Sequence, residues 1–333
     1  MTLAQDPSQD PRVLALAYSR LYAVLARALL RGVDARMLAQ LRELDWVGPG
    51  DGLEQLATQL HATFELGVFP YAGVFLDPDA QAGACADRVR GFYARAGFSP
   101  RPVNAELAPD HLGVELAFMA FVSRAHADGR LGPSSPLLAE FLDACVLAYL
   151  PSLVIAAREL GEGAWPTMLN ELLELVAAQR ATLPGPRAAP SLCPAQALLD
   201  DARTGLREIA AYLLTPARSG VFLTRADIAA LARSRGLARG FGSRLTMLDN
   251  LLRGAVEYGE LDKLRAGLDE LLARRDHRLV ELDQRLELGP AIEPWRAAIA
   301  RTRELVRALH RAPSRDRADP WTSKPSTTTP PAP

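Results

Sequence analysis

Residues 106–121 read ELAPDHLGVELAFMAF and gather groups able to do chemistry: the carboxylates of Glu106, Asp110 and Glu115, and the imidazole of His111. Such a set can ligate a metal, exchange protons, or hold a cation through charge-assisted hydrogen bonds. All-helical metal hydrolases use a His-Asp doublet, whereas here the doublets run Asp110-His111 and Asp276-His277. The other imidazoles, His61, His126 and His310, lack ligand spacing. No phosphate loop, dinucleotide fingerprint or nucleophile elbow is present. The expectation is therefore no enzyme, no catalytic residue, no metal and no cofactor. Binding remains, because desolvated charge at the mouth of an apolar helix is costly unless it is used. On a helix starting near Pro109, His111 and Glu115 share a face, and Asp110 favours the positive helix end. A capped helix with an internal His111–Glu115 pair explains the same residues without any ligand.

The elements that must position these groups follow from periodicity. Residues 12–30 place Leu14, Tyr18, Leu21, Leu25 and Ala28 on one stripe, and Gly32 ends that helix. Further helices are expected over 34–45, 52–66, 82–96, 110–127, 135–160 and 165–182. Between them FPYAGVFLDPDA (69–80), broken by Pro70, Gly73 and Pro78, predicts an extended, partly buried loop. Its aromatic residues would form a hydrophobic wall, and Asp77 and Asp79 an acidic lip, suited to an apolar peptide with a basic end. The Pro-rich stretch 184–197 reads as a linker. Helices resume near 198–214, 224–236, 243–256, 260–274 and 292–311, with Thr224 and Asp227 as a capping box. The Pro-, Ser- and Thr-rich tail 313–333 is expected to be disordered. The fold class is all-α: a domain over 1–183 and a second helical module over 198–312.

Composition sets the partners. Hydrophobic residues make up 49% and charged residues 23% of 333, ordinary for a folded protein. Residues 1–197 carry 15 cations against 21 anions, a balance of −6, whereas residues 198–312 carry 20 against 16, or +4. The first half suits a cationic partner and the second an anionic one. Cys85, Cys145 and Cys193 are odd in number and far apart, which predicts reduced cytoplasmic thiols. The N-terminus does not read as a signal peptide, and the apolar run 137–157 is interrupted by Glu140, Asp143 and Pro151, so no membrane insertion is expected. A second class of function comes from 223–252, which has a helix–turn–helix rhythm flanked by Arg218, Arg225, Arg233, Arg235, Arg239 and Arg244. These could meet DNA phosphates, although TMLDNLL offers few base-reading side chains.

Three segments in close order, FPYAGVFL at 69–76, VRGFYARAGF at 89–98 and ELAPDHLGVELAFMAFV at 106–122, resemble the TorD-like family of redox-enzyme maturation chaperones, which includes the nitrate reductase assembly chaperones. The resemblance covers about residues 10–183. It implies a cytoplasmic, all-helical bundle that binds the twin-arginine signal peptide, or the apo form, of a molybdopterin-dependent oxidoreductase and holds it for cofactor loading. It places Glu106, Asp110 and His111 at the family's signature positions and Tyr71 in its loop. Asp77 and Glu115 complete the expected client-binding set. The loop has Ala72-Gly73 where a Ser is common, and the chain is longer than a typical member. Nucleic acid is the less favoured partner, and a homodimer is compatible with the reading.

Overall fold

The computed structural model describes residues 10–79, 83–100, 107–132, 135–193, 198–201, 204–238 and 240–309. Glu106, Arg239 and the tail 313–333 lie outside them. The protein is 72% helical, and among the described residues the only β feature is a single antiparallel bridge between Tyr71 and His111. The all-α expectation holds.

Helix α1 (Pro11–Arg31) is capped by Asp10 and ends at Gly32. It runs antiparallel along α6 (Leu112–Ala127): Arg12 lies near Gly129, the Ser19 hydroxyl donates to the Ala120 carbonyl at 2.8 Å, and Leu30 lies over Gly113. A Cβ at Gly113 would sit 2.7 Å from Leu30 Cγ, so this glycine permits the close approach. The stripe expected on α1 is shifted. Tyr18, Leu25 and Ala28 are buried as expected, but Tyr22 is fully buried in place of Leu21, and Leu14 is 36% exposed. Tyr22 turns inward because its hydroxyl donates to Gln179 Oε1 on α9 (Ala164–Thr182) at 2.8 Å.

Between α1 and α6 the chain forms α2 (Ala35–Glu43), α3 (Leu53–Leu60) with a π-helical continuation over His61–Gly67, α4 (Ala72–Leu76) and α5 (Ala84–Ala96). The short α4 corrects the expectation of an extended loop through 69–80. The helix expected over 135–160 is also corrected. It breaks into α7 (Leu137–Phe141), a π segment over Leu142–Val146, and α8 (Leu150–Arg158), bent by 43°. Pro151 in the first turn of α8 cannot continue a preceding helix, so the bend falls just before it. Phe92, Tyr93, Phe118 and Phe141 pack edge-on and tilted at 4.5–6.4 Å in the core beneath α5 and α6.

The later half comprises α10 (Leu206–Leu213), α11 (Pro216–Ser219), α12 (Arg225–Ser234), α13 (Arg244–Glu257), α14 (Leu261–Leu286) and α15 (Gly289–Ala308). The capping box forms as expected: Thr224 Oγ1 accepts from the Asp227 amide, and Asp227 Oδ2 accepts from the Thr224 amide. α14 runs twelve residues past its expected end at 274, because Leu279 and Leu282 continue a buried stripe through a charged sequence. This half shares one continuous apolar core with the first. Trp295 is fully buried, and its indole donates to the Ala148 carbonyl at 2.9 Å, inside the break between α7 and α8. Arg275 reaches Ile155 O, Glu159 and Asp227 at 2.9–3.3 Å.

The described part of the Pro-rich segment is tied to the body. Arg180 and Asp143, 3% and 6% exposed, form a two-pronged ion pair at 2.8 and 3.0 Å. Arg180 also donates to the carbonyls of Leu183, Gly185 and Pro186, while Asp143 accepts from the Ala188 amide at 3.0 Å.

Candidate functional site

The 69–73 and 108–113 segments are held edge to edge. The Ala72 amide donates to Asp110 O at 3.0 Å, and the Leu112 amide to Pro70 O at 2.8 Å. Around this bridge three expected site residues meet. Asp110 accepts from the Gly73 amide at 2.8 Å, so it caps the first turn of α4 rather than favouring the start of its own helix. The cap of α6 is His111, whose Nδ1 accepts from the Gly113 amide at 3.0 Å. That bond fixes a neutral ring with its proton on Nε2. Burial lowers the His111 pKa to about 4, which agrees with the neutral form. Tyr71 packs edge-on against the His111 ring at 4.8 Å. Its hydroxyl pKa is raised, first by burial and then by the Asp110 charge.

Asp77 and Glu115 lie inward of this rim. Asp77, 7% exposed, accepts from the Cys85 thiol at 3.2 Å and the Cys85 amide at 3.3 Å, so it meets the first turn of α5 and is no exposed lip. Burial first, and the Asp77 contact second, push the Cys85 thiol up, so it is no nucleophile. A Cβ at Gly73 would lie 3.0 Å from Asp110 Oδ2 and 3.1 Å from Asp77 Oδ2. Glu115 is fully buried and is not paired with His111. Its Oε2 accepts from the Tyr149 hydroxyl at 2.7 Å, and Oε1 has no partner among the described residues. Burial pushes its pKa up to about 8, opposed by the Tyr149 bond and reinforced by the Asp110 charge. The sixth expected residue, Glu106, lies outside the described residues. What remains accessible at the rim is Phe69, 37% exposed, and the half-buried Tyr71.

Three partners were missed at the sequence level: Gly73, Tyr93, whose hydroxyl donates to Pro109 O at 2.8 Å, and Tyr149. Gly73 and Tyr93 stand inside segments singled out from sequence, but nothing in local spacing links Tyr149 to Glu115. The later half reaches the site from behind. Phe222 stacks on Phe75 of α4 at 5.4 Å, Phe75 packs on Tyr149 at 5.6 Å, and the Arg244 guanidinium covers Phe222 at 4.2 Å.

Residues 13–154, which include the bridged segments, match the protein family described as nitrate reductase delta subunit. That stretch is similar to the nitrate reductase delta family and spans less than half of the chain. The family consists of chaperones for molybdoenzyme maturation, not catalysts. The match stops inside α8, so α9 to α15 lie beyond it. No curated protein and no solved structure matches the chain.

Beyond the match, the helix–turn–helix-like segment directs part of its basic set inward. Arg244 is stacked on Phe222 and donates to Leu223 O at 3.0 Å, and Arg235 pairs with Glu270 at 2.7 Å. α13 buries Met247, Leu248, Leu251 and Leu252. Nothing in this geometry favours DNA.

Proposed function

We propose that this protein is a cytoplasmic chaperone that binds the twin-arginine signal peptide, or the apo form, of a molybdopterin-dependent oxidoreductase and assists cofactor loading before export. The observation that carries the reading is the delta-family match over the very segments that form the bridged rim. Asp110 and His111 act on the client by holding that rim: they fix the turn that presents Phe69 and Tyr71. The −6 balance of residues 1–197 adds a long-range attraction for a basic peptide. Burial of the apolar stretch that follows two arginines supplies most of the affinity.

The test is titration of the full chain with a twin-arginine peptide fused to a carrier, beside the same fusion with both arginines changed to glutamine, and beside duplex DNA. The expected result is saturable binding of the first, at least tenfold weaker binding of the second, and none of the DNA. Tyr71→Ala should weaken capture at least tenfold. Asp110→Asn keeps an acceptor for Gly73 but removes its charge. With the Gly73 bond kept and the rim still held, thermal unfolding and capture should both change by less than about 1 kcal/mol. Equal affinity for both fusions would overturn the signal-peptide reading.

A further inference from the structure

Beyond the family match, α8 and α14 enclose a cleft of about 360 Å³ lined by Ile155, Arg158, Glu159, Arg278, Glu281, Leu282 and Arg285. Its carboxylates are already engaged. Glu159 holds Arg275 at 3.0 Å, Glu281 holds Arg278 at 3.0 Å, and the adjacent Glu174 holds Arg285 at 3.1 Å. Arg158 differs. Its partner among the described residues is a neutral amide: Nη2 donates to Asn170 Oδ1 at 2.6 Å. Arg285 donates to that same oxygen at 2.8 Å. Asn170 is buried, and its own Nδ2 donates to Glu174 at 2.8 Å, so the oxygen is fixed toward the two guanidinium groups. Two cations thus share one uncharged acceptor, with Arg278 beside them. Burial, and then the Arg285 and Arg278 charges, lower the Arg158 pKa, against a smaller opposing effect of Glu174 and Glu281, as expected for cations gathered without full compensation.

We infer that this cleft binds a phosphate-bearing anion, seated between Arg158 and Arg285 with Arg278 at its edge. Guanidinium forks match the paired oxygens of a tetrahedral oxyanion, and an arriving negative charge removes the mutual repulsion of the cations. The volume is in the range of small-molecule sites, so there is room for more than a single phosphate group. The +4 balance of residues 198–312 would draw such an anion in.

The experiment is calorimetric titration of the full-length protein with inorganic phosphate, pyrophosphate and adenosine diphosphate, at ionic strength held constant with chloride. At least one probe should bind saturably, at least tenfold more weakly in Arg158→Gln and Arg285→Gln, and unchanged in Arg90→Gln on α5. A preference for phosphate over adenosine diphosphate would mark a site for the free ion. The reverse preference would mark a phosphate carried on a larger molecule. Arg158→Lys keeps the charge and loses the fork, so it decides the matter if the glutamine variant unfolds: reduced affinity supports the site. No saturable heat with any probe, or wild-type affinity in the folded Arg158 variants, would overturn it.

Discussion

Two buried groups at the bridged rim give the protein a pH dependence whose sign can be worked out. Glu115 ionises near pH 4.5 when exposed and near 8 when folded. Between those values the folded chain keeps a proton that the unfolded chain has released, so stability falls as pH rises. His111 runs the other way. Its ordinary pKa of 6.5 drops to about 4, so stability falls as pH is lowered through that window. From pH 4.5 to 6.5 the two slopes offset each other, and from 6.5 to 8 only Glu115 remains. Urea unfolding should therefore show a loss of about 2 kcal/mol between pH 6.5 and 8, and Glu115→Gln should flatten it. A slope that persists in the variant would assign it to another group. Gly73 makes a second, independent prediction. A methyl group there meets the Asp110 and Asp77 carboxylates at 3.0 and 3.1 Å, so Gly73→Ala should cost about 1–3 kcal/mol, read by thermal unfolding.

The strap after α9 rests on one buried ion pair, Arg180 with Asp143, and both partners also serve backbone groups of residues 183–188. Arg180→Ala leaves Asp143 buried without its cation, so it should cost about 3–5 kcal/mol. It should also open residues 183–190 to limited proteolysis well before the helices are cut; cleavage at the wild-type rate would show that the strap is held otherwise. A Pro-rich composition predicts a linker, and nothing in it shows that Asp143, 45 residues upstream of Ala188, accepts its amide. Other elements divide in the same way. α1, α2, α6, α9, α12 and α13 were legible because their apolar residues lie close together in sequence, although the α1 stripe is shifted, the cap of α6 is His111 rather than Asp110, and α9 starts without a side-chain cap. α4 was not, since its five residues owe their first turn to Asp110, 37 residues distant from Gly73. The end of α14 was missed because its buried leucines are spread thinly among charges. Of the candidate site, the residue types and their two segments were readable. Which side chains face the rim and which serve the interior was decided by contacts between segments.

The two halves meet through a single apolar core, and groups on one satisfy polar atoms of the other: Trp295 donates to Ala148 O, and Arg275 to Ile155 O. We expect them to unfold together. Trp295→Ala removes a fully buried ring and its bond, and should cost about 3–5 kcal/mol with a single unfolding transition followed by both circular dichroism and tyrosine fluorescence. Residues 1–197 produced alone should bind a hydrophobic dye and lack a cooperative melt; a sharp melt would show that the family-matched half folds by itself. The same arrangement bears on synthesis. Trp295 is translated 147 residues after Ala148, about 7–30 s later at 5–20 residues per second. By the end of that interval the nascent N-terminal half, including the surface proposed to receive clients, has been translated while the face that Trp295 will cover is still bare. A protein proposed to shield another's unfinished chain thus passes through an unfinished state of its own, and a ribosome stalled before codon 295 should present that state to the cell's general chaperones.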